Sequence, residues 1–532
     1  MSTSAPHRLP LLFLVALLSA APAPGAAAPA PDRHVVIVVW DGMRPDFVTP
    51  ETTPNLWALA RDGVFFARHH PVYPSSTEVN GVALATGAYP RRSGILGNNE
   101  YRPGINPGKP VGVEQPAVVR RGDAVSDGHY LAVATLAEFL RAHGLRTTVA
   151  GAKQVALLAD RGPRTGDAAG APVVFEGAAM PGPLEPRLAA ALGAFPPVGR
   201  EADGRGNKLA RDAWTTRALL EVLWRDGVPA LTLLWLAEPD YSQHEDGPGS
   251  ARALAAIRSS DTHLGEVLAD LGRRGLRGRT DVFVVSDHGF STIGRAVDVA
   301  QDLAAAGFAA TRRVPGGLQA GQVLVVSNGG TDFLYVGGHD AAVVRRLIAC
   351  VQAQPWAGVV FAREPADGTF TLAQAHLDGP GAPDVAVSLR WTADRSATGT
   401  PGIICSDSSE RGPGQGNHAS LSAFDMHNTL VAAGPDFRAG FRDSLPSANT
   451  DLAPTILWIF GFRDAAAQAD GRILGEALAG AAPPPPGSPE PRRLTARCDL
   501  GAGRTWSQYL DVSAVGGVEY FDDGNGAQEP AR

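Results

Sequence analysis

The sequence predicts an α/β fold: a doubly wound, mostly parallel sheet with helices on both faces and a smaller inserted α+β lobe. Three observations carry this expectation. Apolar, β-branched runs of strand length recur at 34–40 (HVVIVVW), 231–236 (LTLLWL) and 281–286 (DVFVVS), as expected of strands covered on both faces. Segments of helical period alternate with them, notably 252–271 with its stripe of Leu254, Ile257, Leu264, Leu268 and Leu271. Each apolar run is followed closely by an aspartate: Asp41, Asp240 or Asp287. In open α/β sheets the functional crevice lies at that end of the strands.

Composition bounds the rest. The chain has 532 residues, 44% hydrophobic and 19% charged, ample for a large core in one domain with insertions or in two domains. A net charge of −7 leaves no basic surface for tracking a nucleic-acid duplex. Only three lysines occur: Lys109, Lys153 and Lys208. The three cysteines, Cys350, Cys405 and Cys498, have no C-x-x-C spacing, which excludes a zinc ribbon and leaves any disulfide pairing open.

Taken in order, residues 1–28 read as a secretory signal peptide: His7 and Arg8, an apolar run to Leu18, then small residues to Ala28. The apolar run is too short to span a bilayer, and no later stretch is long enough, so the expectation is a secreted or periplasmic protein without a membrane span. A catalytic domain is expected over 33–480. Within it come the first strand, a helix at 54–66 with Pro54 near its start and Gly63 near its end, and the stretch 72–98 (VYPSSTEVNGVALATGAYPRRSGILGN). Residues 99–128 are rich in Gly, Pro and Asn and read as a long surface insertion. A helix at 134–144 and a strand at 146–151 lead to Lys153. Residues 163–205 read as loop and short helix, and 209–224 as helix. The second and third buried strands follow, with the striped helix between them. Residues 300–396 form the inserted lobe, the main sheet resumes near 428–432, and 449–460 is a capped helix. A Pro-rich linker at 481–491 precedes a tail at 492–532 with short strands. No internal repeat is present.

Thr77 stands just before a helix-compatible run. A hydroxyl there meets free backbone N–H groups and the positive end of the helix dipole, a place that holds phosphoryl groups and favours an alkoxide. Helix capping is the commoner role for such a residue. The carboxylates change that balance. Three of them converging at one sheet edge repel one another unless cations sit between, and Asp240-x-x-x-His244 and Asp287-His288 add imidazoles, the mixed oxygen and nitrogen set that suits zinc.

The motifs VVIVVWDGMRPD, TPNLWALARDGVFF, YPSSTEVN with ATGAYPRRSGI, AEPDYSQH, VVSDHG and GNHAS together resemble the alkaline phosphatase superfamily over about residues 34–460. Within it they most resemble the type I phosphodiesterase/nucleotide pyrophosphatase branch. The resemblance implies an alkaline-phosphatase-like fold and two zinc ions, other divalent metals being possible. Asp240, His244 and His418 would hold one ion; Asp41, Asp287 and His288 the other. Thr77 would be the nucleophile, forming a covalent phospho-threonine that water then hydrolyses, and Asn98 would help hold the phosphoryl oxygens. Two such metals about 4 Å apart clamp the attacking and leaving oxygens.

Departures bear on the substrate, a small phosphorylated molecule. Nucleotide-cleaving members usually place an aromatic after the nucleophile; Glu78 stands here and disfavours nucleotide diesters. Lys153 resembles the phosphate-contacting lysine of monoesterase and phosphonate-cleaving relatives. Asp425 and His427 are candidates to orient a metal ligand, or are structural. The alternatives are a phosphomonoesterase, a phosphonate hydrolase, or an exported binding protein that has lost activity. A sulfatase is disfavoured because no C/S-x-P-x-R motif surrounds Thr77.

Overall fold

A computed structural model describes Met1 and residues 33–161, 171–407, 411–480, 483 and 486–530. Residues 2–28 of the expected leader and four positions of the Pro-rich linker lie outside the described residues.

The central sheet has nine strands, in the spatial order Phe441–Ala448, Val64–His70, Leu430–Ala433, Thr280–Val285, His34–Trp40, Leu231–Leu236, Thr147–Gly151, Val173–Phe175 and Ala178–Met180. Five of its neighbouring pairs are parallel and three antiparallel. The first strand sits in the middle, between Leu231–Leu236 and Thr280–Val285, and the three predicted apolar runs are therefore adjacent. Their continuous hydrophobicity has a direct cause. Val35, Ile37 and Val39 feed a core on one face, while Val36, Val38 and Trp40 feed a core on the other. The helix Ala251–Arg273 covers the second face with Ile257, Leu264 and Leu271.

Leu430–Ala433 enters antiparallel between Thr280–Val285 and Val64–His70. The segment read as loop and short helix near 163–205 contributes, within its described part, the two edge strands Val173–Phe175 and Ala178–Met180. Each is only three residues long, too short for an alternating pattern to register in the sequence.

A second sheet of six strands lies within 309–389, with the helices Val299–Ala305 and Ala341–Gln352 on it. The tail forms three long antiparallel strands, Glu490–Gly501, Arg504–Val515 and Val518–Pro530, rather than short ones. Leu510, Val512 and Phe521 are buried with Phe361 of the six-stranded sheet and with Leu421. On the other side Asp522 accepts from Arg68 at 3.0 Å and faces His70 at 3.2 Å, while the Tyr520 hydroxyl donates to Asp451 at 3.0 Å. The tail thus braces both sheet systems. The three cysteines are unpaired.

Candidate active site

The site lies where the three central strands end. The helix Thr77–Thr86 begins over that edge, with Ser76 in extended conformation before it and Gly87 left-handed after it. The preceding turn is fastened by one side chain. The Asn80 amide donates to the carbonyls of Val72, Pro74 and Ser76 at 3.0–3.1 Å and accepts from the Val72 N–H at 2.7 Å. Gly81 lets the helix lie against the sheet: a Cβ there would stand 2.8 Å from Val155 and 3.1 Å from Trp235. Thr77 is thereby fixed at the helix start, with Oγ1 3.1 Å from His288 Nε2.

Asp41, Asp240, Asp287, His288, His244 and His418 are all buried. Asp41 Oδ2 accepts from the Trp235 indole at 2.8 Å, and Asp287 Oδ1 accepts from the Gly42 N–H at 3.0 Å. Their other oxygens, Asp41 Oδ1 and Asp287 Oδ2, and also Asp240 Oδ1, are buried without a hydrogen-bond partner. Three imidazoles aim Nε2 at these oxygens. His244 and His418 stand 3.2 and 3.6 Å from Asp240 Oδ1, and His288 stands 3.3 Å from Asp287 Oδ2 and 3.6 Å from Asp41 Oδ1.

Each imidazole has its Nδ1 against a backbone carbonyl: Gly416 for His244 at 2.9 Å, Ser75 for His418 at 2.9 Å and Gly289 for His288 at 2.8 Å. A ring that donates Nδ1–H to a carbonyl leaves a lone pair on Nε2, the state a metal requires. Burial lowers His244, and burial followed by the neighbouring His288 lowers His418 well below the usual range, so both rings stay neutral. Burial raises Asp41 well above its ordinary value, with Asp287 adding to it, and burial raises Asp287 to about 7.

Orphaned buried carboxylate oxygens facing neutral imidazole lone pairs are the donor set of a divalent metal site. Two groups bring their ligand atoms within 4.8 Å of one another: Asp41, Asp287 and His288; and Asp240, His288 and His418. His288 stands in both groups, and His244 meets the second through Asp240.

Lys153 reaches into the same cluster, with Nζ 2.9 Å from Asp41 Oδ2 and 3.1 Å from Asp240 Oδ2. Burial pushes Asp240 up, but Lys153 and then His244 hold it well below the carboxylate range. Asn98 Oδ1 accepts the Glu78 N–H at 3.1 Å, one residue from Thr77. Glu78 is itself buried.

A cavity of about 460 Å³ opens over Thr77, Asn98, Asp240, His244 and His418. Its walls add Glu78 and Lys153, and also Glu114, Lys208, Tyr241, Arg312 and Arg411, which the sequence did not single out. Glu114 belongs to the stretch read as a surface insertion; nothing in that Gly- and Pro-rich segment distinguishes it. Asp425 accepts from Ser291 and Ser420 at 2.6 Å each, bracing the loop after His418, whereas His427 bonds to the Ala67 carbonyl away from the cluster. The remaining network runs through Asn449, which donates to the Asp287 carbonyl at 2.7 Å and to Asn80 at 3.0 Å, and meets His69 at 2.9 Å.

The profile of the type I phosphodiesterase/nucleotide pyrophosphatase family matches residues 35–396. Ectonucleotide pyrophosphatase/phosphodiesterase family member 7 of Homo sapiens is 25% identical over 292 residues, covering 54% of this chain and 55% of that protein. Family member 3 of Mus musculus is 23% identical over 261 residues, 48% of this chain and 24% of that one. The chain therefore spans about half or less of these curated relatives. Among solved structures, murine ectonucleotide pyrophosphatase/phosphodiesterase 5 superposes with a TM-score of 0.55 at 18% identity, covering 80% of this chain and 95% of that chain, a likeness of fold. With its profile matched over residues 35–396, the chain belongs to the type I phosphodiesterase/nucleotide pyrophosphatase family.

Proposed function

We propose that this protein is an exported, two-metal phosphoester hydrolase of the phosphodiesterase/nucleotide pyrophosphatase type, acting through Thr77. The observation that carries the reading is the convergence, beneath Thr77, of three orphaned carboxylate oxygens and three imidazole nitrogens held in the ligand tautomer. Asp41, Asp240, His244, Asp287, His288 and His418 would hold two zinc ions. Bound there, the metals supply Lewis-acid stabilisation of the phosphoryl oxygens and lower the pKa of the attacking hydroxyl.

The chain's own residues do the rest. Thr77 Oγ1, fixed at a helix N-terminus by the Asn80-fastened turn, forms a bond to phosphorus as the bond to the leaving oxygen breaks. Asn98, oriented by the Glu78 N–H on its Oδ1, leaves its amide N–H₂ to donate to a non-bridging oxygen. Water then attacks the phospho-threonine, releasing phosphate or a phosphomonoester and restoring the hydroxyl. An inactive threonine-to-alanine variant of murine ectonucleotide pyrophosphatase/phosphodiesterase 5 is known in complex with AMP, which supports a threonine role in the family. The leader-like segment supports export, and no helix among the described residues is long and apolar enough to cross a membrane.

A second reading, a phosphomonoesterase or phosphonate hydrolase, is favoured by Lys153 on the pocket wall, where an ammonium meets a dianionic phosphoryl group. Hydrolysis of bis-p-nitrophenyl phosphate against p-nitrophenyl phosphate by zinc-loaded protein decides between the two. Faster, Thr77-dependent diester cleavage is the expected result; faster monoester cleavage selects the second reading. Activity undiminished in Thr77→Ala refutes both.

A further inference from the structure

The Asn98 amide can be aimed at a phosphoryl oxygen only if the backbone that carries it is held, and that backbone is restrained from two directions. Within its own stretch, Glu100 Oε1 accepts the Leu96 and Gly97 N–H groups at 2.7 and 3.3 Å, and the Asn98 carbonyl accepts the Val113 N–H at 3.0 Å. The next residue is fastened from 229 positions away. Asn328 Oδ1 accepts the Asn99 N–H at 2.8 Å, and the Asn328 amide donates back to the Asn99 carbonyl at 3.3 Å. The Asn99 amide in turn donates to the Ser327 carbonyl at 3.2 Å. The approach is close: a Cβ on Gly97 would stand 2.7 Å from the Phe333 ring and 3.0 Å from Asn328 Oδ1.

Asn328 belongs to the turn that joins Gln322–Ser327 to Thr331–Val336 in the six-stranded sheet. That turn is itself tied down. The Asn328 N–H donates to the Thr331 carbonyl at 2.8 Å, the Ser327 hydroxyl to the Asp407 carbonyl at 2.7 Å, and the Asp407 N–H to the Gly329 carbonyl at 2.9 Å. Its far side meets the carboxylate and imidazole cluster, where the Gly330 N–H donates to the His418 carbonyl at 2.8 Å. Ser327, Asn328 and Gly329 all line the cavity. A single turn therefore touches both the peptide beside Asn98 and the backbone of His418. Asn99 is exposed, so water in the pocket can satisfy both of its backbone groups. What Asn328 adds is a fixed position. With Asn98 Oδ1 committed to the Glu78 N–H, the aim of the remaining N–H₂ follows from where the Asn98 backbone is held.

We infer that Asn328 is a positioning residue for the hydrolysis: by holding the Asn99 backbone it aims the Asn98 amide, and its turn keeps that donor in register with His418. The inference rests on the phosphoester-hydrolase reading and makes the six-stranded sheet part of its machinery. Asn328 acts through Asn98 and takes no part in the bonds that form and break at phosphorus.

The test is a double-mutant cycle on zinc-loaded protein, comparing wild type, Asn98→Ala, Asn328→Ala and the double variant on whichever p-nitrophenyl ester is cleaved faster. Asn328→Ala is expected to lower kcat about tenfold or more while KM changes less than about twofold, as for an interaction realised only in the transition state. The double variant is expected to match Asn98→Ala alone, because aiming an amide that is already gone brings nothing further. Zinc affinity by chelator competition checks the fold. It is expected to stay within about twofold of wild type in Asn328→Ala, since the Gly330 bond to His418 is made by the backbone. An unchanged kcat in Asn328→Ala, losses that multiply in the double variant, or zinc binding weakened in step with kcat overturns the inference. Failure of the hydrolase reading is separate: it shows as activity that does not depend on Thr77. Thr77-dependent release with kcat unmoved by Asn98→Ala leaves that reading standing and overturns the positioning role alone.

Discussion

Replacing Lys153 with Met affects the metal-free and metal-loaded proteins differently. The ammonium is 13% exposed and stands 2.9 and 3.1 Å from the carboxylates of Asp41 and Asp240, both proposed metal ligands. At 3 Å and an effective dielectric of about 20, each contact is worth roughly 5 kcal/mol before desolvation is subtracted. Removing one partner of a buried ion pair costs about 3–5 kcal/mol, because the remaining charge is stranded. Two divalent cations replace that lost charge several times over, so the same substitution costs the loaded protein much less. The thermodynamic cycle turns the difference into affinity: about 3 kcal/mol corresponds to roughly 100-fold tighter zinc binding by Lys153→Met. Competition against a chromogenic chelator measures this at equilibrium, and melting with and without chelator gives the matching stability change. Unchanged or weaker zinc binding by the variant would refute the reasoning, since it would mean that the lysine does not compete with metal for Asp41 and Asp240.

Three further outcomes are expected. Asn98→Ala removes the proposed phosphoryl-oxygen donor and should lower kcat by about 10²–10³ with stability little changed, measured on whichever p-nitrophenyl ester proves the better substrate. Asn449→Ala, which frees the Asp287 carbonyl and Asn80, should weaken zinc binding by about 10–100-fold in the chelator competition while leaving all six proposed ligands in place. Asp281, distant from the site, is raised to about 8 by burial and by Asp436. Its folded-state pKa exceeds the unfolded value of 3.8, so the native state binds more protons and stability falls as pH rises between about 4 and about 8. Asp281→Asn should therefore lose less stability between pH 5 and pH 8 than wild type in denaturant titrations; an identical loss would contradict the shift.

The gathering of Asp41, Asp240 and Asp287 was legible because parallel, doubly covered strands must be apolar throughout, which makes a carboxylate at the end of such a run conspicuous. That Thr77 and Asn98 share one cavity was legible from an ordered set of motifs. What escaped was set by contacts remote in sequence. Asn449 meets Asn80 across 369 positions, and no local pattern in 449–460 marks it as anything but a helix start. Glu114 is carried to the pocket by the two-residue strands Asn99–Glu100 and Val111–Gly112 and by the Tyr130 hydroxyl on the Val113 carbonyl, elements too short to produce a period. His288 standing in both candidate groups follows from how close the strand ends lie, which spacing along the chain does not encode. The tail's strands were underestimated because much of the first one is exposed and charged, so its alternation is weak against the surrounding polar residues.

The brace between that tail and the strand leading to the nucleophile turn also has a kinetic side. Arg68 and Asp522 are 454 positions apart, so closing their contact carries the loop-closure entropy of most of the chain. On refolding, the helical and sheet signals should therefore return ahead of this clasp, and Arg68→Ala should leave those early signals unchanged.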